Sequence, residues 1–359
     1  MNDKLRLSLF ISTFLAVFLA LHFYIFSNLF GLFSIPKGTL YYSLIFILSL
    51  SYPLSAFFEK KYPNKVSYIS YLISATWIGM ILIISSLILL NQILNIALNI
   101  PKLYSGLTIV SLTLIITIIG ILNSYNIKIK EITLYFPKKI LKKEISLVHL
   151  SDIHIGTVNT KKFLQSIVNK TNSLNPDFVA LTGDLVDGSA PLTSDLLSPI
   201  NKIKSPVFFS IGNHEIYDNL EFVLPLLEKT KMKILRNEVV KHKSIQIAAV
   251  DFYEGNKQVV PYINSLKTNK NNFTLLLNHA PSGFETAVKK SINLQLSGHT
   301  HNGQVFPFTL FIPLAYKYIT GLHKIKGSYL YISQGVGTWG PPMRFLTHGE
   351  IIKINLKRK

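Results

Sequence analysis

The first 122 residues contain four apolar runs, 7–33, 40–58, 66–99 and 104–122, and none carries an Asp, Glu, Lys or Arg. Each reaches the ~20 residues that cross a bilayer core as a helix. The first run is too long for a signal-peptide core and lacks a small-residue cleavage site, so it is read as retained in the chain. The third is overlong for one span, and its end from Asn91 is expected to lie along the interface. His22 is the sole ionisable residue within the runs. Intramembrane charges mark transport pathways, so their absence points to an anchor, with His22 packed or interfacial.

Basic residues alternate across the intervening loops. Lys4 and Arg6 precede the first run, Lys60, Lys61 and Lys65 lie between the second and third, and six lysines between 128 and 143 follow the fourth. The other two loops hold only Lys37 and Lys102. Because basic loops stay cytoplasmic, both termini and the large C-terminal half are expected in the cytoplasm. The predicted location is a multi-pass position in the cell (inner) membrane.

Composition divides the chain at the same place. Residues 1–126 hold seven Lys or Arg against two acidic residues, whereas residues 127–359 hold thirty against sixteen. The second half therefore favours an anionic partner, such as a phosphate-bearing substrate or an acidic lipid surface. Nucleic acid is not expected, since no Arg-rich arm or basic–aromatic motif is present. With no cysteine in the chain, disulfides and thiolate metal sites are excluded. The predicted organisation is a transmembrane anchor at 1–126, a basic juxtamembrane linker at 127–144 and an α/β domain at 145–359.

In that domain, short apolar strands alternate with amphipathic stretches. Strands are expected at 145–150, 178–182, 207–211, 245–250, 273–278, 294–297, 329–333 and 351–356, with helices at 161–173 and 220–228. Metal-binding residue types stand where these strands stop. They are Asp152 and His154 after LVHLS, Asp184 after VALTG, and Asn213 and His214 after FFSIG. His279 follows LLLN, and His299 and His301 follow LQLSG. Singly, each segment reads better as a turn, a cap or a core histidine. Jointly they do not, because five of the ten histidines occupy such strand ends, and sites in open α/β sheets form outside the carboxyl ends of strands.

Nitrogen and oxygen donors without sulfur suit Zn, Mn or Fe. Seven candidate ligands exceed one tetrahedral ion and suit two ions, which activate hydroxide and clamp a displacement at phosphorus. Residues i and i+2 of an extended chain stand about 6.6 Å apart, so His299 and His301 can serve different ions. Two divalent cations less two carboxylates and a bridging hydroxide leave about one positive charge, which a phosphodiester would neutralise.

The ordered series Asp152-x-His154, Gly183-Asp184, Gly212-Asn213-His214-Glu215, His279 and Gly298-His299-x-His301 resembles the calcineurin-like metallophosphoesterases. The segment GVGTWGPPMR, residues 335–344, further resembles a bacterial membrane-associated branch. The resemblance implies a four-layer α/β/β/α sandwich after the transmembrane bundle. It also implies one metal on Asp152, His154 and His301, a second on Asn213, His279 and His299, and Asp184 bridging both. His214 would stabilise or protonate the departing oxygen. Glu215 stands where the family often has Asp.

The implied activity is metal-dependent hydrolysis of a phosphodiester or pyrophosphate, with a membrane lipid or lipid-linked molecule among the substrates. A phosphomonoesterase on a soluble substrate and a catalytically silent scaffold are the alternatives. Three features stay open from sequence. The run 138–144, KKILKKE, would hold the domain on anionic headgroups or serve as a solvated linker. PFTLFIPLAYKYI, residues 307–319, would form a lip at the membrane surface or a hairpin packed on the core. Arg344 would clamp phosphate or lie at the surface.

Overall fold

The computed structural model describes residues 3–253 and 255–359, with side chains from residue 12 onward except at 14 and 256. Lys4 and Arg6, which entered the charge alternation, fall outside the described side chains. Four long helices come first: α1 (Asp3–Leu32), α2 (Thr39–Lys61), α3 (Lys65–Leu94) and α4 (Lys102–Tyr125). All four are long and apolar enough to cross a membrane. The α2–α3 turn is closed by a capping box, in which the Asn64 side chain accepts from the backbone of Val66 and Ser67 while Ser67 Oγ accepts from Asn64 N–H. Of the segment from Asn91 expected along the interface, residues up to Leu94 continue α3, and a turn then leads to α4.

His22 is fully buried between helices and satisfied on both ring nitrogens. Trp77 Nε1, which can only donate, reaches His22 Nε2 at 2.9 Å, so Nδ1 carries the proton given to the Phe18 carbonyl at 2.7 Å. It is a packed residue.

The remaining chain builds two six-stranded sheets. Their strands are β1 (Lys128–Phe136), β2 (Ile145–Leu150), β3 (Phe178–Thr182), β4 (Val207–Ser210), β5 (Lys233–Leu235), β6 (Glu238–His242), β7 (Ile245–Ala249), β8 (Thr274–Leu277), β9 (Leu294–Ser297), β10 (Gly321–Ile325), β11 (Ser328–Ile332) and β12 (Glu350–Arg358). The sheet orders are β1-β12-β2-β3-β4-β5 and β10-β11-β9-β8-β7-β6. In each central strand, alternate residues face opposite layers. Leu147, Phe178, Ala180 and Phe208 meet Ile247, Leu275, Leu296 and Tyr331 between the sheets. On the outer face of the first sheet, Val148, Val179 and Phe209 pack with Leu164, Ile167 and Val168 of α5 (Lys161–Ser173) and with Val223 and Leu227 of α6 (Leu220–Leu227). The second sheet is covered likewise by α7 (Asn256–Ser265) and α8 (Phe284–Lys289), through Val259, Ile263, Phe284 and Ala287. The α/β/β/α sandwich is therefore present.

The expected linker differs from what the structure contains. Residues 128–136 form edge strand β1, paired parallel to β12 with Ile132, Leu134 and Phe136 packed at the core between the sheets. Because β12 runs antiparallel to β2, the start of β1 lies at the carboxyl end of β2. Lys138–Lys143 follow the far end of β1, about 26 Å away at 3.3 Å per residue. The lysine run is thus turned away from the bundle, which contradicts its reading as a headgroup clamp.

The other end of the sheets rests against the helices. Arg344 N–H donates to the Gly120 carbonyl at 2.9 Å, and Asn123 Nδ2 donates to the carbonyls of Arg344 and Thr347. Lys60 pairs with Asp218 at 2.6 Å. Gly79 of α3 faces the Met343 side chain so closely that a Cβ there would stand 2.6 Å from its sulfur.

Candidate metal centre

All seven expected ligands converge at the bundle-facing end of the sheets. Asp152 and His154 follow β2, Asp184 follows β3, Asn213 follows β4, and His279, His299 and His301 follow β8 and β9. Gly212 and Gly298 permit the close approach, since a Cβ on either would collide with Asp184 or Asp152. Five ligands sit at positive φ: Asp152 (54°), His154 (50°), Asp184 (51°), His299 (71°) and His301 (48°). Non-glycine residues rarely adopt this region, and such outliers cluster at functional sites.

The donors form two facing sets. In the first, His301 Nε2 lies 3.0 Å from His154 Nε2 and 3.4 Å from Asp152 Oδ1. In the second, His279 Nε2 lies 3.0 Å from Asn213 Oδ1, 3.2 Å from His299 Nδ1 and 3.1 Å from Asp184 Oδ2. That same Asp184 oxygen is 3.8 Å from His154 Nε2, so Asp184 stands between the sets. Donors bound about 2.1 Å from one ion stand about 3.0–3.4 Å from each other, which matches these separations.

Burial holds His154 and His301 well below the usual imidazole range and lowers His299 to about 3. Burial also raises Asp152 to about 6. At His279 burial opposes charge, yet the Asp184 and Asp152 carboxylates push its pKa up to about 10. One imidazolium therefore performs the charge compensation that bound cations would supply. The donor set fits borderline divalent ions, with two carboxylates, an amide oxygen and four imidazoles.

His214 is the implied proton donor, although a ring nitrogen lies within 4.8 Å of donor atoms of His154 and Asp184, so the three also form a group able to hold an ion. The His214 backbone N–H donates to Asp184 Oδ1 at 2.9 Å, and its Nδ1 pairs with the Asp187 carbonyl at 3.0 Å. Its ring lies edge-on to His154, with centroids 4.5 Å apart, and near Trp339. Glu215 is fully buried and accepts backbone N–H groups from Asp184, Leu185, Val186 and Gly212. It ties the Asp184 loop to the Asn213 loop. Burial and the Asp184 charge raise its pKa to about 7, against the pull of those N–H donors.

Arg344 is neither at the surface nor on the open side of the centre. It is fully enclosed, with Nη2 on the carbonyls of Gln334 (2.8 Å) and Gly337 (2.5 Å) and 3.2 Å from His301 Nδ1. The other ring nitrogen of His301 faces the ligands, so Arg344 lies behind the ring. The segment 335–344 wraps beneath the Asp152 loop, where Val336 and Gly337 N–H donate to the carbonyls of Ser151 and Asp152.

Several residues around the site escaped the sequence reading. Asp187 Oδ1 lies 3.6 Å from His154 Nδ1, and its position three residues after Asp184 was the available signal. Tyr316 places its hydroxyl 2.7 Å from His299 Nε2, and Phe252 lies tilted beside the same ring, with centroids 5.3 Å apart; neither carries a local signal. Asp187, Gly188, Ser189 and Trp339 also line a cavity of about 450 Å³, closed on its other side by Tyr52, Lys61 and Tyr71 of the bundle.

Comparison with known proteins agrees with this geometry. A family model for the calcineurin-like phosphoesterases matches residues 145–303. A Helicobacter pylori metallophosphoesterase is 38% identical over 240 residues, covering 65% of this chain and 64% of that protein. An Aquifex aeolicus metallophosphoesterase is 30% identical over 251 residues, covering 66% of this chain and 95% of its own length. A Danio rerio transmembrane protein with a metallophosphoesterase domain is 30% identical over 269 residues, covering 69% of this chain and 61% of that protein. The match thus spans less than two thirds of the Helicobacter and zebrafish proteins. Members of the family use two divalent metals, the number of ligand sets found here. The chain belongs to the calcineurin-like metallophosphoesterase family.

Proposed function

We propose that this chain is a membrane-anchored phosphoesterase that hydrolyses a phosphodiester or pyrophosphate bond, in a lipid or lipid-linked substrate. The observation carrying the proposal is the pair of ligand sets sharing Asp184 at the end of the domain that meets the helices. Asp152, His154 and His301 would hold one ion and Asn213, His279 and His299 the other. Bound there, two divalent ions supply Lewis-acid activation of water and neutralise charge at phosphorus.

The chain's own residues supply the rest. With Nδ1–H donating to the Asp187 carbonyl, His214 would give a proton from Nε2 to the leaving oxygen only as the doubly protonated imidazolium. Glu215 holds the Asp184 backbone in its strained conformation, and Arg344 braces His301 from behind rather than touching substrate. The lysine-bearing α2–α3 loop lies on the catalytic side, since Lys60 reaches Asp218, and this supports a cytoplasmic domain on a multi-pass inner-membrane protein.

The test uses full-length protein in detergent, stripped and reloaded with Mn or Zn. Turnover of bis(p-nitrophenyl) phosphate is expected to exceed that of p-nitrophenyl phosphate, and Asp184→Asn should abolish it while the protein stays folded. Normal activity at normal metal content in that variant would sink the shared-ligand assignment.

A further inference from the structure

Residues 307–319 divide: Tyr318 packs on the core of the second sheet beside Phe284, and Ile312 is buried, whereas the other large side chains of two short turns, Phe308–Leu310 and Ile312–Ala315, stay uncovered. Phe308, Leu310, Phe311 and Leu314 are 44%, 62%, 56% and 83% exposed. Four such side chains within seven residues form a patch that a water-facing surface seldom keeps.

The placement of this patch says what covers it. Val305, just before it, pairs with Phe345, and both pack with Met343 on Ile83 and Leu87 of α3 and on Ile116 and Ile121 of α4. The catalytic domain therefore carries an apolar edge beside α3 and α4, two of the helices long and apolar enough to cross a membrane. The far end of the patch reaches the chemistry, because Tyr316 touches the metal-ligand candidate His299 at 2.7 Å.

We propose that Phe308–Leu314 is a bilayer-inserted lip, and that it opens the metal centre to amphiphilic phosphoesters lying in the membrane. Insertion requires only that α1–α4 span a bilayer; the substrate class rests on the hydrolase reading above. A phosphoester whose apolar part remains in lipid would reach the ligand sets along this edge, without passing through water.

The chain has no cysteine, so single-site spin labelling is direct. Leu314→Cys and Leu310→Cys would be labelled with a nitroxide in the full-length protein and reconstituted into phosphatidylglycerol–phosphatidylcholine vesicles. Ile115→Cys, on the lipid-facing side of α4, and Tyr135→Cys, at the far end of β1, serve as references. Relaxation by oxygen is expected to exceed relaxation by a water-soluble nickel chelate several-fold at 314 and 310, as at 115, with the reverse at 135. A chelate-accessible label at 314 and 310 beside a lipid-buried 115 overturns the lip alone. Shielding from both reagents also overturns it, and marks a protein-covered face instead. A water-exposed 115 removes the spanning reading and the lip together. Hydrolysis of bis(p-nitrophenyl) phosphate by the labelled proteins reports separately on the metal centre.

Discussion

The helix bundle and the catalytic domain use buried polar groups differently. In the bundle they are scattered and several close on a neighbour, although the Ser49, Ser105 and Thr117 hydroxyls do not. His22 is bonded on both nitrogens, and Ser55 meets Ser74 at 2.5 Å. In the candidate metal centre, nitrogen and oxygen donors from five strand ends converge on one place. Nε2 of His154 and Nε2 of His301 stand 3.0 Å apart, and five of the seven ligands hold a strained backbone. Closed pairs stabilise a fold by themselves, whereas an open cluster costs stability until an ion completes it. The first kind of burial builds a scaffold, and the second builds a site.

The largest test of that contrast is His214→Asn. It would remove the proposed proton donor but none of the seven proposed ligands, so kcat is expected to fall about 10²–10⁴-fold with metal content unchanged. Loss of metal in this variant would show that His214 belongs to the open cluster after all. Next comes Glu215→Gln, which replaces a carboxylate bonded to four backbone N–H groups by an amide. We expect a loss of about 2–3 kcal/mol, read from thermal unfolding, with catalysis falling as the Asp184 loop loosens. An unchanged melting temperature would show that the clamp is dispensable.

Metal uptake itself sharpens the comparison. His279 titrates near 10 without metal, above the ordinary imidazole range. At pH 7.5 it is protonated, and an ion binding its nitrogen must displace that proton. Calorimetry in buffers of different ionisation enthalpy should show release of about one proton from this site. The same shift stabilises the metal-free fold fully below the unfolded pKa of about 6.5, and that contribution is lost as pH rises toward 10. The smallest effect belongs to the bundle. His22→Phe deprives the Trp77 N–H of its acceptor and should cost about 1 kcal/mol in detergent-titrated unfolding, with turnover unaffected. A large drop in activity would show that the bundle takes part in the chemistry.

Much of this was legible because the signals are local. β2, β3 and β9 occur at their expected bounds, since each is a short segment with apolar residues at its core-facing positions, followed at once by Ser-Asp or Gly. Strands β1, β5, β6 and β10 were not foreseen. They lie at or beside sheet edges, where one side of the strand is solvated and the pattern KIKEITLYF or GLHKI reads as polar. β1 in particular exists because β12, more than 200 residues later, offers it a parallel partner. No local window contains that information.

By itself the sequence determined the four apolar spans, the identity and order of the metal donors, and the layered α/β domain, because apolar periodicity and residue chemistry act over short windows. Tertiary structure alone decided which way the site faces. The parallel pairing of β1 with β12 turns the lysines of 138–143 away from the bundle and brings the ligands toward it. Tertiary packing also enclosed Arg344 behind His301 and left Phe308, Leu310, Phe311 and Leu314 exposed. Those outcomes depend on hydrogen bonds and packing between residues distant in the chain, which residue type and spacing do not encode.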